Sequence, residues 1–144
     1  MYLQKKFRFG LLTILAGLVV STLPLSAQQV YKGTFDLPFE TRWGGATLEP
    51  GHYTVTVEQG FTMKLIRVQG EGGNLISVAR PSTVEPFTGP GRITLAHVGG
   101  TYAAERLDAG SLGESFTFAL PKSLKGESAH GVEGTQDTVA VSTR

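Results

Sequence analysis

The sequence predicts an all-β protein: a single antiparallel β-sandwich of about seven to eight short strands, preceded by a cleaved N-terminal signal peptide. Three observations predict it. From Val30 onward apolar residues recur with period two, as they do where successive side chains of a strand face opposite sides. Turn residues interrupt that pattern at short intervals, the spacing typical of sandwiches and barrels. No window in the region carries the 3.6-residue apolar stripe of an amphipathic helix.

The leader comes first. Lys5, Lys6 and Arg8 precede an apolar run from Leu11 to Leu23, and Pro24 breaks the run before Leu25-Ser26-Ala27. A basic start, an apolar middle and a small-residue end form the secretory pattern, with cleavage expected after Ala27. A retained anchor would need roughly 20 apolar residues. Pro24, Ser26, Gln28 and Gln29 spoil the second half of that window, so the mature form is expected to carry no membrane span. The domain organisation follows: residues 1–27 signal peptide, 28–121 β-sandwich, and 122–144 a flexible polar tail with room for one last strand near 138–142.

Within the sandwich, Thr34 to Phe39 places Phe35, Leu37 and Phe39 on one face. Glu49-Pro50-Gly51 then turns the chain, because Pro fixes φ and Gly accepts positive φ. His52 to Glu58 alternates cleanly, with Tyr53, Val55 and Val57 inward and Thr54, Thr56 and Glu58 outward. Thr62 to Gln69 is irregular. Met63 and Leu65 share one register and Ile66 and Val68 the other, which calls for a bulge or for cover on both faces. Gly70 to Asn74 forms a hairpin loop, and Asn74 to Arg80 a further strand. Arg80 to Gly91, with Pro81, Pro86 and Pro90, reads as a long connection. Arg92 to Val98 and Thr101 to Leu107 are joined by Gly99-Gly100, a two-residue hairpin of the primed type. Gly110 and Gly113 mark a turn before Ser115 to Leu120, where Phe116, Phe118 and Leu120 point inward. In the tail, only Thr138 to Val141 has strand character.

Composition narrows the chemistry. The 144 residues contain no cysteine, 13 Lys+Arg and 12 Asp+Glu. Disulfide scaffolds, cysteine-ligated metals, a lipid-anchored Cys and cysteine nucleophiles are therefore excluded. The balanced charge provides no footprint for nucleic acid. Loss of the leader removes three basic residues, so the mature chain is slightly acidic.

The stretch Phe35-Asp36-Leu37-Pro38-Phe39-Glu40, then Trp43-Gly44, then Leu48-Glu49-Pro50-Gly51-His52-Tyr53-Thr54, resembles the opening of a group of small uncharacterised exported β-domain proteins of soil bacteria. Gly89-Pro90-Gly91-Arg92 and Phe116-Thr117-Phe118-Ala119-Leu120-Pro121-Lys122 are similar to that group as well. The resemblance spans Tyr31 to Lys122. It implies a β-fold and export, and it carries no activity or site residues.

Catalytic and metal motifs are missing from the sequence. His52, His97 and His130 lack the close spacing that sets ligands on one face. Gly113-Glu114-Ser115-Phe116-Thr117 lacks the final glycine of a nucleophile elbow. Gly70-Glu71-Gly72-Gly73 carries an acid and precedes no helix, so it is no phosphate cradle. Glu40, Glu58, Glu105 and Asp108 are the acids available for a glycosidase pair, the weakest of the functional readings. The candidate ligand-binding residues are Trp43, Arg42 and Glu40. Flat aromatics stack on sugars, and Arg42 and Glu40 supply hydrogen bonds beside the ring. Against this, a lone Trp in a small sandwich commonly fills the core. Phe39 and Phe61 are secondary aromatic candidates.

The expectation is an exported, non-catalytic binding or envelope-associated module, periplasmic or extracellular, without metal or cofactor. Polysaccharide or another envelope protein is the expected kind of partner. The alternatives are a self-assembling or strand-exchanging subunit, with Thr138 to Val141 as the exchanged strand, and a small carbohydrate-active enzyme.

Overall fold

A computed structural model describes residues 28–129 and 134–143, so residues 1–27, where a signal peptide is expected, and His130 lie outside the described residues. The chain forms two packed sheets. In the first, five strands lie in the order β12-β1-β4-β5-β6. They are β1 (Gln28–Leu37), β4 (Gly51–Gln59), β5 (Lys64–Gly70), β6 (Leu75–Ala79) and β12 (Ser142–Thr143). The second contains β7 (Thr83–Pro86), β8 (Arg92–Val98), β9 (Thr101–Ala109), β10 (Glu114–Thr117) and β11 (Thr135–Ala140), in the order β11-β8-β9-β10-β7. It is completed by β2 (Thr41–Trp43) and β3 (Ala46–Leu48). All pairings are antiparallel except β2 on β9.

The core follows from alternation. Phe35 and Leu37 of β1, Tyr53, Val55 and Val57 of β4, and Ile66 and Val68 of β5 are buried on the first sheet. They meet Ile93, Leu95, Leu107, Phe116, Phe118 and Trp43 from the second. Full burial of one such side chain contributes roughly 1.5–3 kcal/mol. In β5 the Ile66 and Val68 register faces the core, while Met63 lies before the strand and is exposed. The irregularity expected there is a register shift between β5 and β6 at Val68/Gln69, and the β4–β5 ladder is unbroken. Further shifts occur at Gln29/Tyr31 and Thr94/Leu95.

Several expectations are corrected. β1 ends at Leu37, so Phe39 sits in the crossover between sheets and is 42% exposed rather than inward. Thr41 to Leu48 forms a hairpin that three-residue strands leave too short for any period to reveal. Its turn is Gly44-Gly45, at φ of 58° and 84°, as a type I′ hairpin requires. Gly51 begins β4 without a positive φ. The connection 80–91 contains the exposed strand β7, which pairs with β10 at the sheet's edge, where proline is tolerated.

Beyond residue 121, the described residues of the tail pack on the sandwich. Lys122–Ala129 forms helix α1, and Leu124 is buried against Val98 and Ala103 on the outside of the second sheet. Strand β11 pairs with β8 over Thr135 to Ala140, and β12 crosses to β1. Val141, between them, is buried against the core.

Candidate functional site

The β2–β3 hairpin determines where the sequence-predicted site residues lie. Thr41 is fully buried and donates from Oγ1 to the Phe39 carbonyl at 2.9 Å. Trp43, two residues on, points to the same side. Its ring is 1% exposed, 5.8 Å from Phe35 and 5.4 Å from Phe118, the latter edge-on. A ring so enclosed has no face left for a sugar, so the stacking role expected of Trp43 is replaced by a core role. The hairpin tip reaches across to the other sheet, where Ser77 of β6 donates from Oγ to the Trp43 carbonyl at 2.8 Å.

Beside this tip lies a cavity of about 450 Å³. Arg42, Trp43 and Thr47 line it from the hairpin, Arg80 from the end of β6, and Ala104 and Phe118 from the second sheet. The Trp43 indole Nε1 nearby is enclosed and has no hydrogen-bond partner, a condition that costs about 1–3 kcal/mol. Two arginines mark the cavity itself. Arg42 and Arg80 are exposed and, among the described residues, neither joins an ion pair. No acid is among the lining residues. The structure thus brings Arg42 and Trp43 together and leaves Glu40 exposed outside the cavity. Arg80 was not legible as a partner, because nothing in the sequence links the end of β6 to a hairpin in the opposite sheet.

The other candidate groups are occupied or apart. Glu58 accepts a bidentate pair from Arg67 at 2.9 and 3.0 Å. Glu105 accepts from Gln136 at 3.0 Å. Asp108 is fully buried between Arg92 and Arg106. Burial pushes its carboxyl up, but hydrogen bonds from Arg106, Ser115 and Arg92 outweigh that and hold it below the usual carboxylate range. Such a group is a poor general acid. His52 bonds Asp36 at 2.8 Å on the surface. His97 stacks on Tyr102 at 4.2 Å, and Tyr102 in turn on Phe39 at 4.4 Å. Burial, then the Asp137 carboxylate, keeps the Tyr102 phenol protonated beyond its ordinary range. Phe61 is 87% exposed in the β4–β5 turn. Among the described residues, no three His, Asp or Glu side chains converge as metal ligands, and no helix is long and apolar enough to cross a membrane.

Compared with protein-family models, curated proteins and solved structures, the chain matches none. The functional reading therefore rests on the site's own geometry.

Proposed function

We propose that this chain is an exported, non-catalytic binding module that takes a carboxylate-bearing saccharide unit in the cavity beside the β2–β3 hairpin. One observation carries the reading: two arginines without acidic partners border a cavity that has no acid among its lining residues. Arginine forks match carboxylates in a bidentate manner. The cavity's size falls in the range that holds small ligands. Phe118 and Ala104 supply apolar wall against which a sugar ring packs.

Export is proposed from the basic, apolar and small-residue pattern of residues 1–27. The absence of a catalytic role is supported by the engagement of Glu58, Glu105 and Asp108 with their own partners.

The test is retention on immobilised polygalacturonate compared with neutral glucan and xylan. The reading expects retention on the acidic polymer alone, lost in Arg42→Gln and in Arg80→Gln while the thermal melt is preserved. Equal retention on neutral polymers, or unchanged retention in both variants, would overturn it.

A further inference from the structure

A second constellation lies on the outer face of the seven-stranded sheet, on different strands from the hairpin cavity. The β8–β9–β10 register aligns Arg92, Asp108 and Ser115 in one row, and Thr94, Arg106 and Thr117 in the next. Because Ile93, Leu107 and Phe116 are fully buried, alternation turns these rows outward.

Asp108 organises the group. Its Oδ2 accepts from Arg92 Nε at 2.6 Å, and its Oδ1 accepts from Arg106 Nε at 2.7 Å and Ser115 Oγ at 2.7 Å. Each arginine spends its Nε on these bonds, which leaves the two terminal amino groups of each fork outside them. The Phe87 ring lies 5.6 Å from the Arg92 guanidinium carbon and 5.9 Å from that of Arg106. Both forks are therefore held by a carboxylate and an aromatic ring, yet their side chains stay 46% and 35% exposed. A depression of about 390 Å³, lined by Arg92, Arg106, Thr94, Thr117, Glu105 and Gln136, opens above them.

Asp108 balances one of the two guanidinium charges, and Glu105 at the rim, bonded to the neutral Gln136 amide, offsets the other. What the depression offers an anion is therefore a set of immobilised donors. Holding the forks in place beforehand removes much of the ordering cost of binding. From this we infer that the outer face binds a singly charged tetrahedral oxyanion, a sulfate monoester, between the Arg92 and Arg106 forks with Thr94 and Thr117 as hydroxyl donors. A carboxylate has two oxygens and satisfies one fork, whereas two forks and two hydroxyls call for three or four acceptor oxygens. Glu105 at the rim opposes a second negative charge, so dianionic phosphate is the poorer fit.

The test uses the unmodified mature protein, titrated with methyl sulfate (a monoanionic sulfate monoester), inorganic phosphate and acetate at neutral pH. The Arg92 and Arg106 Nε–H signals are followed by NMR. Methyl sulfate should shift both signals in a saturable way, with phosphate weaker and acetate inert. Loss of one fork in Arg106→Gln, or of the hydroxyls in Thr94→Val/Thr117→Val, should weaken methyl sulfate binding by about tenfold or more. The threonine pair leaves the Asp108 cluster intact, so its effect does not depend on folding. Arg42→Gln, in the other cavity, should change nothing here. A sulfated oligosaccharide should bind and its desulfated form should not, which separates an ester from a free ion. Absence of any shift up to about 100 mM methyl sulfate, or an equal response to acetate, would overturn the inference.

Discussion

The Ser77 hydroxyl of β6 and the Trp43 carbonyl of β2 meet at 2.8 Å in the buried interior. This bond ties the tip of a hairpin in one sheet to the edge strand of the other. Ser77→Ala should leave the carbonyl unpaired and cost about 1–3 kcal/mol in urea unfolding. A loss near zero would mean that the hairpin is not fastened there.

The Trp43 ring fills the core, so its truncation should read as a stability defect before any binding defect. Trp43→Ala is expected to destabilise by about 3–5 kcal/mol. Denaturant unfolding measures this, and a stability equal to wild type would place the ring outside the core.

The two hairpin glycines should differ. Both have positive φ, but a Cβ on Gly44 would lie 2.8 Å from Ser77 Oγ and 2.9 Å from Ala79 Cβ, whereas one on Gly45 meets open space. Gly45→Ala should cost only the backbone penalty of about 1–2 kcal/mol. Gly44→Ala adds a clash with β6, and should lower the melting temperature further than Gly45→Ala does.

Asp108 should make the fold acid-labile. Its carboxyl is held below the usual range in the folded chain, and the unfolded value is about 3.9. The folded state therefore gains stability from this group above that value, and loses it as pH falls through the lower folded one. Melting temperatures measured from neutral pH down to strong acid should fall steeply below about pH 4. Asp108→Asn should be less stable at neutral pH and flatter in acid. Removing the carboxylate outright, in Asp108→Ala, should cost about 1–3 kcal/mol at neutral pH, since Ser115 and both arginines lose their acceptor while the guanidinium groups keep access to water.

The C-terminal strands should be structural. Deleting residues 134–144 removes the β8–β11 ladder and the Val141 contact, and burial of one valine alone is worth roughly 1.5–3 kcal/mol. The truncated chain should melt earlier and associate through the uncovered β8 edge. An unchanged melt would mean that the tail is dispensable.

The long strands were readable because a single buried face imposes period two. Tyr53, Val55 and Val57 show it directly, as do Phe116 and Phe118. The Thr41–Leu48 hairpin was not readable, since three residues hold too few alternations and Gly44-Gly45 resembled spacing beside a bulky ring. Helix α1 was missed because Leu124 is the only large apolar residue in Lys122–Ala129, which leaves no stripe. At the candidate site, Arg42 and Trp43 were legible from adjacency alone. Arg80, Arg92 and Arg106 were not, because their neighbours come from strands distant in the chain.

The most direct measurement exploits the single tryptophan, whose indole gives one side-chain N–H signal. Titration of the mature protein with oligogalacturonate, followed at the Trp43 Nε1–H, should shift that signal saturably in the wild type and not in the Arg42→Gln/Arg80→Gln double variant. An unmoved signal through millimolar ligand, or the same shift in the double variant, would contradict a carboxylate site beside the hairpin.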